Sequence, residues 1–285
     1  MVWEYLRSEE FKAAVERAQG VCAVPIGCLE KHGPHAPLGT DTIQAERITR
    51  LAAEKEPVVV FPTMYFGEKC GAGEFPGTVI FSLETRWHIF RETCAEIFRN
   101  GFRKILFVNG HGGNLSMLDF FIRGMLKELP EVLVFSCDAF GGGGTRARLE
   151  ELIGNRERYG YLTDGDRAIL QDFIRQEKRD GHAGFGETAH ILHLMPETLR
   201  LDGLRDESGD STHRFDDFAR LGIQSSLAWM ANYPNSYQGS NDYVLNERIA
   251  RAVTEHAVYA VAERFRFLKE ERISDAYHAE WLKKQ

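Results

Sequence analysis

The sequence has no apolar run long enough to span a bilayer, so no membrane-spanning helix is expected. Its first residues, MVWEYLRSEE, put acids where an export signal needs a basic segment and then an apolar one, and the expected location is the cytoplasm. Excess positive charge is missing too: 35 Lys and Arg stand against 42 Asp and Glu, a net charge of −7. Without a positive field nothing is offered to a phosphate backbone, which excludes nucleic acid as a partner. Cysteine is scarce, and Cys22, Cys28, Cys70, Cys94 and Cys137 are odd in number and widely scattered. That excludes a disulfide framework and fits buried free thiols in a reducing compartment. Cys28 lies beside the richest polar motif, where a nucleophile is the rival reading and a buried thiol the favoured one. Internal repeats and dividing linkers are also absent, so residues 1–285 are expected to form one domain. What is present, 43% hydrophobic and 27% charged residues, is the composition of a globular chain with a large core.

Hydrophobic periodicity predicts a helix over 9–18, entered through Ser8, and then a strand at Val21–Ile26. Three glycines and two prolines make 27–40 a loop, with a helix beginning at Thr40 or Asp41. Further strands are predicted at Val58–Phe61, Val79–Phe81, Ile105–Val108 and Val132–Phe135. Ser82 is a good N-cap for a helix that Gly101 ends, Leu118, Ile122 and Met125 mark another, and a long one covers about 244–268. Strands that are apolar on both faces and alternate with amphipathic helices predict an α/β fold with a parallel sheet between helix layers. Gly141–Gly144 reads as a flexible loop, because no Lys-Ser/Thr follows to make it a phosphate cradle.

Ligands of open α/β sheets bind at the carboxyl ends of the strands, so the loops there carry the chemistry. In the loop after Ile26, Glu30 and His32 are two residues apart and aim the same way if the segment is extended. Asp41 then arrives at the next helix start, where its carboxylate could bridge two cations held by Glu30 and His32. A second loop adds His111, flanked by Gly110, Gly112 and Gly113, which let the backbone crowd a ligand. A third offers His182 and Glu187 near a helix start. One His beside a glycine is ordinarily a turn residue, but three His/acid groups at predicted strand ends exceed what loop chemistry explains. His35 either supports such a site or sits in a surface turn. His190 and His193 read as packed or solvated helix residues, and His88, His213, His256 and His278 as structural. Carboxylates and imidazoles without thiolate suit Zn²⁺, Mn²⁺ or Fe²⁺.

The Glu-x-His-Gly-Pro-His block from Glu30 to His35, Asp41, the Asn-Gly-His block ending at His111 and the His-Ala-Gly-x-x-Glu-Thr block from His182 to Thr188 together resemble the creatininase (creatinine amidohydrolase) family. Phe75-Pro-Gly-Thr78 does so as well. The resemblance spans about residues 21–190 and implies a three-layer α/β/α sandwich, a site for two divalent metal ions, hydrolysis of an amide C–N bond and a homo-oligomer, frequently a hexamer. It implies that Glu30 and His111 hold one ion and His32 the other, with Asp41 between them. Two positions depart: creatininases proper carry a metal-binding Glu where this chain has Gly113, and relatives often have His where it has Ala72. The first departure puts creatinine in doubt as the substrate and leaves one ion short of an oxygen ligand, for which Glu187 is the natural replacement. The Asn-Gly-His-Gly-Gly-Asn version resembles branches that include formamide deformylases and the peptidase of the mycofactocin precursor.

The expected function is therefore a metal-dependent amidohydrolase acting through a metal-bound hydroxide on a small amide, whether cyclic amide, formamide or short peptide. His182 is expected to shuttle the proton to the leaving nitrogen; Glu187 could instead be the base, with His182 orienting substrate. The rivals are a metal-dependent lyase or isomerase on a small sugar-like substrate, and an oligomeric scaffold without catalysis. Segments 64–75, 138–165 and 229–243 are expected to line the pocket but carry no family code, and Trp229, Tyr233, Tyr237 and Asn241 match no motif.

Overall fold

Val21–Ile26 (β1) and Lys104–Asn109 (β3) are buried at every position, which a strand sustains only inside a sheet covered on both faces. In the computed structural model, which describes residues 1–69 and 71–284, these two strands pair in parallel. Val59–Val60 (β2) and Leu133–Asp138 (β4) flank them, giving a four-stranded, all-parallel sheet in the order β2-β1-β3-β4. The helices follow in chain order as α1 (Phe11–Arg17), α2 (Thr40–Lys55), α3 (Leu83–Arg99), α4 (Asn114–Glu128), α5 (Thr145–Gly154) and α6 (Asp164–Arg175). After them come α7 (Phe185–Leu194), α8 (Asp216–Arg220), α9 (Ala228–Asn232), α10 (Glu247–Glu270) and α11 (Ile273–Leu282).

Alternation along the strands sorts the core into two faces. Cys22, Val24, Ile26, Ile105 and Phe107 pack with α1, α3 and α4, where the rings of Phe90, Phe107 and Phe121 meet with centroids 5.6–5.9 Å apart. Val21, Ala23, Leu106 and Val108 pack with α2 and α10 on the opposite side. The result is a three-layer α/β/α sandwich. A third apolar cluster, around Tyr159, Phe173, Phe185 and Tyr237, joins α5, α6, α7 and the start of α10.

Most predicted elements form with shifted ends. Ser82 caps α3 by accepting the Thr85 N–H at 3.1 Å, and α1 is preceded by a 3₁₀ turn at Ser8–Glu10. Val79–Phe81 forms no strand: the Val79 N–H donates to Leu29 O at 3.0 Å, so the segment lies along the 27–39 loop instead of joining the sheet. Cys70 lies outside the described residues. Among the described residues no helix is long and apolar enough to cross a membrane.

The strand order reverses between β1 and β3, which makes the space beyond their carboxyl ends a crevice. Gly27 and Gly110, each one residue past its strand, press on the first turn of α2 from two sides. A Cβ at Gly27 would lie 2.4 Å from Thr42 N, and one at Gly110 would lie 2.4 Å from Asp41 O. Gly110→Ala should therefore destabilise the fold by roughly 1–3 kcal/mol, the usual cost of overpacking. A urea midpoint equal to that of the unaltered protein would show that α2 is not held in this way.

Candidate metal centre

Asp41, in the first turn of α2, has no solvent exposure, and its two oxygens face different imidazoles. Oδ1 lies 3.0 Å from His32 Nε2 and Oδ2 lies 2.8 Å from His111 Nδ1. Glu30, equally buried, sets Oε1 3.0 Å from the same His111 nitrogen. Each imidazole is anchored on its outward nitrogen: His32 Nδ1–H donates to Glu30 O at 3.1 Å, and His111 Nε2–H donates to Glu68 O at 2.7 Å. That arrangement fixes the tautomer and leaves the inward lone pair for a cation. Glu187, in the first turn of α7, brings Oε2 to 3.6 Å from His32 Nε2. Its carboxylate is turned inward by Ala183, whose left-handed backbone (φ 58°) lets its N–H donate to Oε2 at 2.6 Å.

Three donor sets result, each with ligand atoms within 4.8 Å of one another: Cys28, Glu30, Asp41 and His111; His32, Asp41 and Glu187; and Glu30, His32 and His182. Carboxylates and imidazoles whose lone pairs converge out of water are a donor chemistry that fits divalent cations. Burial works against charge at every one of these groups, and the neighbours decide which keep it. Facing Asp41, Glu187 and Glu30, His32 rises to about 9, and His111 rises beside Asp41. Glu30 falls to about 2 beside His182 and His111, and Asp41 falls beside His32 and His111. For Glu187 burial prevails and lifts it to about 8, while burial and then the charge of His32 lower His182 to about 4.

All of Glu30, His32, Asp41, His111, His182 and Glu187 thus meet at one place. His182 donates from Nε2 to Lys31 O at 2.8 Å and packs its ring 4.2 Å from that of His32. His35 is buried and reaches Thr188 Oγ1 at 3.0 Å, so it is not the residue of a surface turn. His190 is packed against Thr254, and His193 is exposed. Gly113 leaves no space for a side chain, since its Cβ would lie 2.4 Å from His111 Nε2 and 2.8 Å from Glu68 Oε2.

Three further contributors stand outside the expected set: Gln44 and Lys69 belong to no motif, and Cys28 reads from the sequence only as a buried thiol or a rival nucleophile. Gln44 donates from Nε2 to Gly110 O at 2.9 Å and to Asp41 Oδ1 at 3.3 Å; its place one turn after Asp41 is the only hint. Lys69, buried, pairs its ammonium with Glu30 Oε2. The Cys28 thiol donates to Asp41 and Glu30. The centre forms one side of a cavity of about 700 Å³, walled by Trp229, Met230 and Phe140 and by the polar groups of Lys69, Arg148 and Gln238. Each of the segments 64–75, 138–165 and 229–243 contributes to that wall.

The profile of the family described as Creatininase, creatinine amidohydrolase, matches residues 4–265. The chain is 29% identical over 230 residues to a creatinine amidohydrolase of Pseudomonas putida, covering 74% of this chain and 78% of the relative. It is 35% identical over 190 residues to the mycofactocin precursor peptide peptidase of Mycolicibacterium smegmatis, covering 64% and 60% of the two chains. A solved creatininase in its Mn form superposes with a TM-score of 0.72 at 21% identity, over 95% of this chain and 99% of the other, a likeness of fold.

His32 and His182, whose rings meet at the centre, should titrate in opposite senses in protein stripped of divalent ions by a chelator. His32, held up at about 9, should stay an imidazolium at neutral pH, and His182, held down at about 4, should stay neutral there. Imidazole ¹⁵N shifts read both states directly, and a neutral His32 at pH 7 would contradict the pairing with Asp41.

Proposed function

The chain belongs to the creatininase (creatinine amidohydrolase) family, and from that premise we propose that it is a metal-dependent amidohydrolase cleaving the C–N bond of a small amide. The observation that carries this reading is the buried Asp41 carboxylate, which offers one oxygen to each of two imidazoles whose other nitrogens are anchored. In this reading Glu30, Asp41 and His111 hold one divalent ion, and His32, Asp41 and Glu187 hold the other, with Glu187 in place of the acid that Gly113 cannot supply. Zn²⁺, Mn²⁺ and Fe²⁺ suit the donors. Bound there, the ions supply a water activated at neutral pH and an electrophile for the amide carbonyl.

The chain's own residues do the rest. His182 lines the cavity with Nε2 engaged on Lys31 O, which leaves Nδ1 to take a proton and pass it to the departing nitrogen. An amide nitrogen leaves poorly as an anion, so this transfer belongs to bond breaking. Trp229 and Met230 give the substrate an apolar wall, and Lys69, Arg148 and Gln238 give it polar contacts. A cavity of about 700 Å³ admits a compact cyclic amide, a formamide or the end of a short peptide. The peptidase relative supports the last of these.

Elemental analysis and an amide screen test the assignment together. Asp41→Ala should lose both ions and His32→Ala mainly one. His182→Ala should keep both while kcat falls by about 10²–10⁴, and less for amides with better leaving groups. Full ion occupancy in Asp41→Ala would remove the ligand assignment, and an equal loss for good and poor leaving groups would make His182 an orienting residue.

We extend the family premise to assembly and propose a homo-oligomer, supported by the apolar side chains of Leu115, Phe120 and Leu126 left 51–71% exposed along α4. Light scattering at micromolar concentration should give a multiple of the 32.4 kDa chain mass. A mass equal to one chain would refute it.

A further inference from the structure

Cys28 differs from the other buried cysteines in its surroundings. Cys22 and Cys94 sit among carbon side chains of the core, whereas Cys28, with no solvent exposure, belongs to none of the apolar clusters of the described residues. Its Sγ lies 3.2 Å from Asp41 Oδ2 and 3.4 Å from Glu30 Oε1. These are the same two oxygens that His111 Nδ1 approaches at 2.8 and 3.0 Å. Sulfur and imidazole therefore approach the same oxygen of each acid, and all four donors fall within 4.8 Å of one another.

Those spacings can be compared with a coordination shell. Zinc in a tetrahedral site, with bonds of about 2.0–2.2 Å to N and O and about 2.3 Å to S, spaces its donors roughly 3.3–3.7 Å apart. One of the four spacings lies in that range and the other three fall short of it by at most about half an ångström, so a small outward adjustment of side chains suffices. The neighbouring set, His32, Asp41 and Glu187, contains only nitrogen and oxygen. The two sets therefore differ in softness although they share Asp41.

Resting on the metal centre proposed above, we propose that the Cys28 thiolate is the fourth protein ligand of the ion held by Glu30, Asp41 and His111. The sulfur makes that position favour Zn²⁺ over Mn²⁺, while its neighbour remains an N/O site that accepts either. On binding, the S–H bond breaks, its proton passes to solvent, and a sulfur–metal bond forms. The proposal adds a thiolate to the carboxylate and imidazole set expected from the sequence.

The test uses Co²⁺ alone, added to full-length protein stripped by a chelator. Thiolate-to-cobalt charge transfer absorbs in the near ultraviolet, and oxygen and nitrogen ligands give no such band. The unaltered protein should show the band. Cys28→Ser and Cys28→Ala should lose it, and Cys70→Ser should keep it. In Cys28→Ser the preference for Zn²⁺ over Mn²⁺ in a competition assay should fall at least tenfold. Two bound cobalt ions per chain without the band would overturn the proposal and leave the metal centre standing, as would a band that persists in Cys28→Ser. Failure to bind cobalt at all would overturn both. Even if neither Cys28 variant folds, two bound cobalt ions without the band in the unaltered protein would overturn the proposal.

Discussion

A carboxylate without solvent exposure, shared between two imidazoles, is the constraint on which this structure turns. Taking an ion out of water costs several kcal/mol even after the protein relaxes. Asp41 bears that cost because each of its oxygens has partners: His32 and Gln44 at Oδ1, His111 and Cys28 at Oδ2. Those partners come from the loops after β1 and β3 and from α2 itself. They can converge only if the two strand ends stay tight against the first turn of α2. Gly27 and Gly110 permit that approach, because any side chain there would meet the α2 backbone. The sheet order that places β1 beside β3 is thus part of the electrostatics, and not merely a scaffold for it.

The same geometry makes protons and divalent ions interchangeable at the centre. With their outward nitrogens on backbone carbonyls, His32 and His111 can present either N–H or a lone pair inward without turning the ring. Facing acids, both imidazoles rise in pKa and carry the balancing charge themselves. Lys69 supplies further positive charge at Glu30. Ions of higher charge would take over that balance from the same nitrogens, so protons compete with them directly.

How much of this the sequence disclosed follows from what kind of information each residue carries. Glu30, His32, Asp41 and His111 stand in short blocks after β1 and β3, and strand polarity sends such loops to one edge of a parallel sheet; the third group, His182 and Glu187, follows α6 and not the strand end expected of it, so only its motif disclosed it. The Asn109-Gly-His111 block even builds its own support: Asn109 accepts the His111 N–H at 3.1 Å and is itself bonded by Asn114 at 2.9 Å. Gln44 and Lys69 were not legible as contributors, because nothing in a single sequence says which side of a helix or loop turns toward acids contributed by other segments; Cys28 stood beside the motif, but nothing there said that its thiol would face the two acids. Val79–Phe81 failed for a related reason. An apolar triplet of that length fits a sheet edge and a loop equally well, and here Leu29 O took its backbone N–H.

Gly113 ties the last pieces together. With its Cβ position hemmed by His111 and Glu68, position 113 has no room for a side chain as these neighbours stand. The carboxylate opposite His32 comes instead from α7, an element that reaches the centre from outside the sheet. That makes the placement of α7 a condition for the second donor set. Thr188, next to Glu187, donates to Gly184 O at 2.7 Å and is met by His35 at 3.0 Å and by the Tyr243 hydroxyl at 2.8 Å. His35 belongs to the same loop as Glu30 and His32, so the segment that carries two of the donors also holds the helix that carries a third. The Glu187 carboxylate therefore stands under the control of the β1 loop, which links the second donor set to the first.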